Sequence, residues 1–186
     1  MYNLIAFIGE AGSGKDTLLH EIMTIKSDIA HEIVSCTTRP PREGEVDGVN
    51  YHFLTGEQFG EKVLKNEMLE ATCFNDWFYG TSFDSLVPDK INIGVFNPAG
   101  IESLLEYKSK INLIVFYVRA TEKERMIRQL NRESDPDIDE IIRRLKADRD
   151  DFSDLDFDYI ELVNNTKEDL QLNIRKVSTV LAGLMA

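Results

Sequence analysis

Residues 9–17 read Gly9-Glu10-Ala11-Gly12-Ser13-Gly14-Lys15-Asp16-Thr17 and directly follow the apolar run Leu4–Ile8. The apolar run predicts a buried strand, and the residues from Lys15 onward predict a helix. Glycines let the intervening turn be tight and point several backbone N–H groups inward, which makes a phosphate cradle at the start of a helix. Gly9, Gly14 and Lys15 fit the P-loop spacing, in which the lysine reaches the terminal phosphates. We therefore predict that residues 9–17 bind phosphate.

One position departs from the P-loop pattern. Where the pattern has Ser or Thr as a magnesium ligand, this chain has Asp16, with Thr17 behind it. An acid beside the terminal phosphates is tolerable chiefly if it faces Mg²⁺ or water bound to Mg²⁺, because that ion takes oxygen ligands. We expect Asp16 to replace the hydroxyl ligand, with Thr17 as the alternative.

The composition excludes several classes of function. A chain of 186 residues predicts one domain with a real core. The net charge of −12 would repel a polyanion, so nucleic acid is not an expected partner. No apolar run is long enough to span a bilayer, and Met1 leads into the first strand without a basic leader, so we expect a cytoplasmic protein with no membrane partner. Cys36 and Cys73 lack metal-type spacing, which favours reduced thiols over a disulfide or zinc site.

The chain alternates predicted strands and helices. Ile91–Phe96 and Ile111–Val118 are apolar, β-branched runs, typical of parallel strands that are covered on both faces. His31–Cys36 and Tyr159–Val163 predict shorter strands, and Thr166–Leu184 predicts a closing helix. The alternation predicts an α/β domain with a mostly parallel five-stranded sheet flanked by helices.

Two stretches interrupt this core pattern. In the first, Met68–Phe74 and Trp77–Tyr79 predict two strands joined by a turn at Asn75–Asp76, and Gly80–Ser82 predicts the start of a short helix. The second carries several arginines on predicted helices. We therefore divide the single domain into a core (residues 1–34, 89–124 and 150–186) and two insertions (residues 35–88 and 125–149).

A loop rich in proline, glycine and charge carries Arg39 and Arg42 and is followed by Tyr51. Guanidinium groups present planar forks of donors that suit a phosphate, and a phenol adds one more hydrogen bond. This loop is therefore a candidate second phosphate site. The alternative is an ordinary solvated basic loop.

This loop also resembles that of the guanylate kinase family. The family has Thr-Thr-Arg, a second Arg three residues on, and then Glu, Gly, Tyr and Phe at fixed spacings. The chain matches all of these, at Thr37, Thr38, Arg39, Arg42, Glu45, Gly48, Tyr51 and Phe53. The resemblance continues at residues 66–70 and 79–81 and, with the P-loop, covers nearly the whole chain. It implies a P-loop kinase fold in which residues 35–88 are a small mixed α/β insertion that binds a nucleoside monophosphate and residues 125–149 are a helical lid.

Carried over position by position, the resemblance implies two groups of residues for the acceptor. Ser35 and Glu70 would read the guanine edge, the carboxylate by accepting from N1 and N2, since an ionised carboxylate only accepts hydrogen bonds. Thr81 belongs to the same wall of the site. The residues implied to grip the monophosphate are Arg39, Arg42, Tyr51 and Tyr79.

The base-reading set departs from the family at one position. The family places an aspartate after the strand where this chain has Asn97. An amide oxygen can still accept from guanine N2, but the amide adds a donor and loses the charge. The departure at Asn97 therefore leaves the choice among bases open. It does not affect the residues that are expected to bind phosphate.

Phosphoryl transfer requires aligned substrates and cations that neutralise the charge on the transferred group. Besides Lys15 and Arg39, the resemblance implies that lid arginines Arg128, Arg132 and Arg144 act here, that Mg²⁺ accompanies ATP, and that Asn164 lies in the turn touching adenine. The spacing from Arg132 to the Arg-Leu pair is one residue longer than in the family. Two alternative lid arginines therefore stay in consideration, Arg143 and Arg149.

The predicted function is ATP-dependent phosphorylation of a nucleoside monophosphate, GMP or dGMP first. A related kinase acting on another deoxynucleotide or on ribose 1,5-bisphosphate is the nearest alternative, because such relatives share the features seen at Asp16 and Asn97. The nucleotide-type set around Arg39 and Glu70 argues against the sugar phosphate. A non-catalytic, protein-binding member of the family is the alternative from another class, and the retained Lys15 argues against it. The sequence leaves the oligomeric state open.

Overall fold

The structure, a computed structural model, describes residues 1–42, 44–74, 76–132 and 134–185. The predicted turn at Asn75–Asp76 therefore lies partly outside the described residues, at Asn75. The elements in chain order are β1 (Tyr2–Ile8), α1 (Lys15–Lys26), β2 (Ala30–Glu32), β3 (Cys36–Thr37), β4 (His52–Phe53), α2 (Gly56–Leu64), β5 (Met68–Phe74), β6 (Trp77–Ser82), a 3₁₀ turn (Phe83–Ser85), β7 (Ile91–Val95), α3 (Pro98–Leu105), β8 (Ile111–Arg119), α4 (Glu122–Leu130), α5 (Ile138–Asp151), β9 (Ile160–Val163) and α6 (Lys167–Leu184).

The main sheet has five parallel strands in the order β2-β7-β1-β8-β9. Along the central strand β1, Ile5 and Phe7 pack against α1 and α6 on one face, whereas Leu4, Ala6 and Ile8 pack against α3 on the other. Both faces of the sheet are buried, which is why its strands are apolar without a polar alternation. The predicted α/β fold with a five-stranded sheet flanked by helices is confirmed.

A second, small sheet has the order β4-β3-β6-β5 and is mixed, because β3 is parallel to β4 and antiparallel to β6. Its own minor core consists of Cys36, Phe59 and Met68. Leu69 instead joins the main core beside α3, so the small sheet is anchored to the domain through β5. This places one edge of the small sheet next to the carboxyl ends of the main-sheet strands.

The predicted single strand His31–Cys36 is wrong, because the segment contributes strands to two different sheets. Ile33 still bonds to the main sheet, its N–H donating to the carbonyl of Ile93 at 2.8 Å. Two residues later the carbonyl of Ser35 accepts from the N–H of His52, at the beginning of the small sheet. The local sequence, in which polar His31, Glu32 and Ser35 surround the apolar Ile33 and Val34, carries no sign of such a change of partner, because the partner strands lie elsewhere along the chain.

The predicted short helix at Gly80–Ser82 is also wrong, since these residues end strand β6 and the 3₁₀ turn begins only at Phe83. Gly80 pairs with both Cys36 and Ala71. A Cβ atom there would lie 2.5 Å from the carbonyl oxygen of Glu70. The glycine therefore permits a close backbone approach within the sheet and does not mark a turn.

Among the described residues, no helix has both the length and the apolar character that crossing a membrane requires. Cys36 is buried, Cys73 is exposed, and both are free thiols.

Candidate active site

The loop between β1 and α1 is held open by glycines in the left-handed region. Gly12 has φ 80° and Gly14 has φ 90°, conformations that favour glycine over any other residue. A Cβ atom on Gly12 would lie 2.6 Å from the carbonyl oxygen of Arg125, so the loop rests directly on helix α4. Lys15 begins α1 with its side chain 16% exposed. The sequence-predicted cradle thus has the strand, turn and helix that phosphate binding needs.

A cleft of about 390 Å³ lies between this loop, the small sheet and helix α5. It brings the predicted phosphate lysine, the predicted base-reading residues and two arginines of α5 to one space. The residues that line it include Gly9, Ala11, Lys15, Ser35, Tyr51, Glu70, Tyr79, Asn97, Arg143, Arg144 and Asp148.

Glu70, Thr81 and Ser35 form a connected polar group on the small sheet. Glu70 is buried, and its burial raises the pKa of the carboxyl to about 7, although hydrogen bonds from the side chain and backbone of Thr81 act to lower it. The Ser35 and Thr81 hydroxyl oxygens are 3.3 Å apart. Near neutral pH the Glu70 carboxyl is therefore close to the midpoint of its titration.

Asn97 is the N-cap of α3, and its Oδ1 accepts from the N–H of Gly100 at 2.8 Å. One oxygen lone pair and two N–H donors remain for the cleft. A Cβ atom on Gly100 would lie 3.0 Å from Asn97 Oδ1 and 3.6 Å from Glu70 Oε2, so the two polar side chains flank this glycine. Asn97 therefore lies beside Glu70, and its Oδ1 can accept one more hydrogen bond.

Arg39 is fixed beside two tyrosines of the predicted monophosphate site. Its Nη1 and Nη2 donate to the two carboxylate oxygens of Glu45, each at 2.9 Å. The guanidinium lies 5.6 Å from the centre of the Tyr51 ring, and that ring lies 6.1 Å from the ring of Tyr79. Burial raises the pKa of Tyr51, so its phenol stays a hydrogen-bond donor. The structure thus brings three of the four predicted phosphate-gripping residues together.

The fourth, Arg42, lines a smaller cavity of about 220 Å³ with Arg132 and Arg144. Arg144 lines the main cleft as well, so it connects the two spaces. Glu140 accepts from Arg143 at 2.6 and 2.9 Å and from Arg144 Nε at 2.7 Å. The hydrogen bonds from Arg143, and then those from Arg144, lower the pKa of Glu140 to about 2. This carboxylate therefore holds Arg143 and Arg144 beside the cleft.

Arg128 has a different environment from the other predicted lid arginines. It donates to the carbonyls of Gly12, Ser13, Asn164 and Asn165 at 2.8–3.2 Å. The arginine therefore clamps the phosphate loop to the turn that follows β9. Arg149, the remaining alternative, pairs with Glu122 on an exposed part of the surface.

Asn164 lies on the far side of the phosphate loop, where it donates to the carbonyl of Ser13 at 2.8 Å. With Thr17 it lines a groove of about 320 Å³. Its buried Oδ1 has no hydrogen-bond partner within the described chain. Asp16, by contrast, has a 75% exposed side chain whose carboxylate is 3.6 Å from Lys15 Nζ. The two candidate magnesium ligands therefore differ in surroundings, with Thr17 on the Asn164 groove.

Sequence reasoning assigned no role in the site to Arg125 or Asp148. Asp148 Oδ2 accepts from the N–H of Ala11 and from Arg125 Nη1, each at 2.9 Å. The one available signal was that Asp148 follows Arg144 by four residues and so shares its helix face. Within an acidic run, however, such a residue is ordinarily solvated.

Comparison with known proteins places the chain among relatives of known family. A model of the guanylate kinase family matches residues 1–182. Guanylate kinases of two Streptococcus pyogenes strains, MGAS315 of serotype M3 and MGAS8232 of serotype M18, are each 40% identical over 110 residues, which is 58% of this chain and 52% of theirs. The matched part thus spans about half the length of these curated relatives.

Two solved structures share the fold. A guanylate kinase from Anaplasma phagocytophilum superimposes with a TM-score of 0.71 at 20% identity, covering 99% of this chain and 86% of that one. A sugar kinase from Janibacter sp. HTCC2649 gives 0.52 at 13% identity, with 100% and 99% covered. Because the family model matches nearly the whole sequence, this chain belongs to the guanylate kinase family.

Proposed function

We propose that this protein transfers the terminal phosphoryl group of ATP to GMP or dGMP, giving ADP and GDP or dGDP. The observation that carries the proposal is the cleft of about 390 Å³ that Lys15, Glu70 and Arg144 line together. A donor cradle, a base-reading carboxyl and a lid cation that meet in one space are the parts that phosphoryl transfer between nucleotides needs. Both substrates belong to the cytoplasmic nucleotide pool, where we propose that the protein acts.

The acceptor binds against the small sheet. Ionised Glu70 accepts from guanine N1 and N2, and Thr81 orients the carboxylate, while the Ser35 hydroxyl reaches guanine O6. Arg39, Arg42, Tyr51 and Tyr79 hold the monophosphate. Glu45 keeps the fork of Arg39 in a fixed orientation, since it engages both Nη atoms.

The donor binds across the phosphate loop, with its adenine in the groove beside Asn164. Asn164 lines this groove, and its donation to the carbonyl of Ser13 fixes the turn after β9 beside the proposed adenine position. Arg128 acts as a positioning residue, because donation to the carbonyls of Gly12 and Ser13 leaves the N–H groups of the loop to face the phosphates.

Magnesium fits Asp16 better than Thr17. Mg²⁺ usually keeps several waters and takes one or two carboxylates together with substrate phosphates, and the exposed Asp16 carboxylate beside Lys15 suits that role. When bound, the ion neutralises charge on the donor phosphates. We expect Asp16→Ala to raise the Mg²⁺ concentration needed for half-maximal binding of a non-hydrolysable ATP analogue, and an unchanged requirement would assign Asp16 no role in metal binding.

The residues that face the transferred group are Lys15 from the phosphate loop and the lid arginines Arg132 and Arg144, with Arg143 beside them. Their charges stabilise the negative charge that spreads over the phosphoryl oxygens during transfer. Closure of α5 over the cleft excludes water, which protects ATP from hydrolysis.

The test is an ADP-release assay with GMP, dGMP, AMP, CMP, UMP, dTMP and ribose 1,5-bisphosphate as acceptors. We expect the highest kcat/KM with GMP or dGMP, and loss of turnover in Lys15→Ala at unchanged thermal stability. Preference for another nucleotide would overturn the base assignment, and preference for the sugar phosphate would overturn the acceptor class. Binding of GMP without turnover of any acceptor would favour the non-catalytic alternative.

A further inference from the structure

Helix α5 is tied to the phosphate loop through one carboxylate oxygen. Asp148 Oδ2 accepts from the backbone N–H of Ala11 and from Nη1 of Arg125, each at 2.9 Å. Ala11 belongs to the phosphate loop and Arg125 to α4, so this contact joins the loop to both helices that follow β8. The side chains of Asp148 and Arg125 are only 14% and 5% exposed, where a charge-assisted hydrogen bond is stronger than in water.

Stability alone does not account for this buried pair. The guanidinium of Arg125 lies between two carboxylates, because Glu10 Oε1 is 4.0 Å from Nη2. Within the described chain, Glu10 Oε2 and Arg125 Nε are buried without a hydrogen-bond partner. Burying charges that are incompletely paired costs free energy that well-packed apolar side chains would not. We therefore look for the role of this pair in the position that it gives to helix α5 relative to the phosphate loop.

The position of Asp148 on α5 indicates what that geometry serves. Asp148 and Arg144 are four residues apart on one helix face, and both line the cleft. Four helical residues span about 6 Å, and a shift of one residue would turn a side chain by about 100° around the axis. Fixing Asp148 at the N–H of Ala11 therefore fixes both the distance and the direction of Arg144 relative to the phosphate loop.

We propose that Asp148 is a positioning residue that sets helix α5 on the phosphate loop so that Arg144 meets the transferred phosphoryl group, and that Arg125 holds the Asp148 carboxylate in place. This inference rests on the proposed phosphoryl transfer. Neither Asp148 nor Arg125 touches the reacting atoms, and both act through Arg144.

The experiment measures steady-state ADP release by Asp148→Ala, Asp148→Asn and Arg125→Met. Asp148→Ala should lower kcat roughly 10- to 100-fold, because misplacing a catalytic group by about 1 Å is enough for such a loss. The KM for GMP should stay within about twofold, since the acceptor binds on the small sheet. Asp148→Asn keeps an oxygen for the N–H of Ala11 and should recover part of kcat, and it replaces the alanine variant if that variant fails to fold.

Glu122→Gln is the matched control. It breaks the exposed ion pair of Glu122 with Arg149, which joins the same two helices, α4 and α5, and it should leave kcat unchanged. Asp148→Ala combined with Arg125→Met should lower kcat by less than the product of the two separate effects, because the contact between Asp148 and Arg125 is shared, whereas the contact of Arg125 with Glu10 is not. A wild-type kcat in Asp148→Ala, or independent effects of the two substitutions that multiply, would overturn the proposal.

Amide hydrogen exchange supplies a second readout that needs no turnover. Exchange over residues 138–151 should be faster in Asp148→Ala than in the wild type, and unchanged in Glu122→Gln. Equal exchange in all three proteins would overturn the role of the Asp148 contact. A wild type that releases no ADP would overturn the proposed function instead, while faster exchange in Asp148→Ala would still support the contact.

Discussion

At the proposed acceptor site, Glu70 is the carboxyl that we expect to bind the base. Its carboxyl is buried on the small sheet with a pKa of about 7, yet guanine requires the ionised form. In the fraction of the enzyme in which Glu70 is protonated, the carboxyl must therefore lose its proton when guanine binds. Affinity is full above the pKa and falls as the pH drops through it.

We predict that the KM for GMP rises about tenfold between pH 8 and pH 6, because the ionised fraction of Glu70 falls by that factor around a pKa of 7. A phosphate monoester also titrates near pH 6. The contribution of the phosphate to the pH dependence of KM persists in Glu70→Gln. The difference between the pH profiles of the wild type and this variant therefore gives the contribution of the Glu70 carboxyl. A GMP profile that is equally steep in Glu70→Gln and the wild type would contradict the prediction.

We propose that Asn97 sets the preference among bases. Asn97→Asp should raise kcat/KM for GMP relative to AMP, because one carboxylate oxygen can keep the cap on Gly100 while the other accepts from guanine N2. The capping bond also predicts that thermal stability changes little. Both acceptors are compared at pH 8, since a second carboxylate beside Glu70 would raise the pKa of Glu70 further. An unchanged ranking would remove Asn97 from base recognition.

At the scale of the element, α4 serves as a platform more than as part of a lid. The predicted lid began at residue 125, inside this helix (Glu122–Leu130), whose inner face rests on the phosphate loop. Arg128 donates hydrogen bonds to two carbonyls of the phosphate loop and to two in the turn after β9. We infer that α4 belongs with the core, whereas α5 carries the arginines that line the cleft.

Arg128→Lys separates the two roles considered for this arginine. A lysine keeps the charge but has no planar fork to bridge both pairs of carbonyls, so the loop should lose its preformed shape. We expect the KM for ATP to rise roughly tenfold, as the loss of one or two hydrogen bonds implies, with the KM for GMP unchanged. A fall in kcat at constant KM for ATP would instead place Arg128 at the transferred phosphoryl group.

Local patterns predicted most elements, and failures occurred where tertiary contacts decide. The capping residues of α3 and α4 and the apolar strand β8 are visible in sequence because their causes lie within a few residues. The break between β2 and β3 and the close approach at Gly80 depend on partner strands that local sequence does not display. The same reason hides Asp148, whose partners Ala11 and Arg125 are far away along the chain.

For the whole molecule, the net charge of −12 contrasts with the anionic substrates proposed for it. The cations that matter are gathered locally, since Lys15 and Arg144 line one cleft and Arg42 and Arg132 line the adjoining cavity. Against this overall charge an anionic substrate needs a local group of cations, and composition does not show where that group lies. Folding provides the location, because the phosphate loop, the small sheet and α5 contribute separately to it.

This three-part construction predicts that donor and acceptor stabilise the protein cooperatively. Each ligand alone, at about 100 times its Kd, should stabilise the fold by about 2.7 kcal/mol. A non-hydrolysable ATP analogue and GMP together should raise Tm by more than the sum of the separate shifts, because α5 contacts both when it closes over the cleft. Replacing GMP by AMP should remove the excess. Strictly additive shifts, measured by thermal denaturation at pH 8, would mean that the two sites share no closing element.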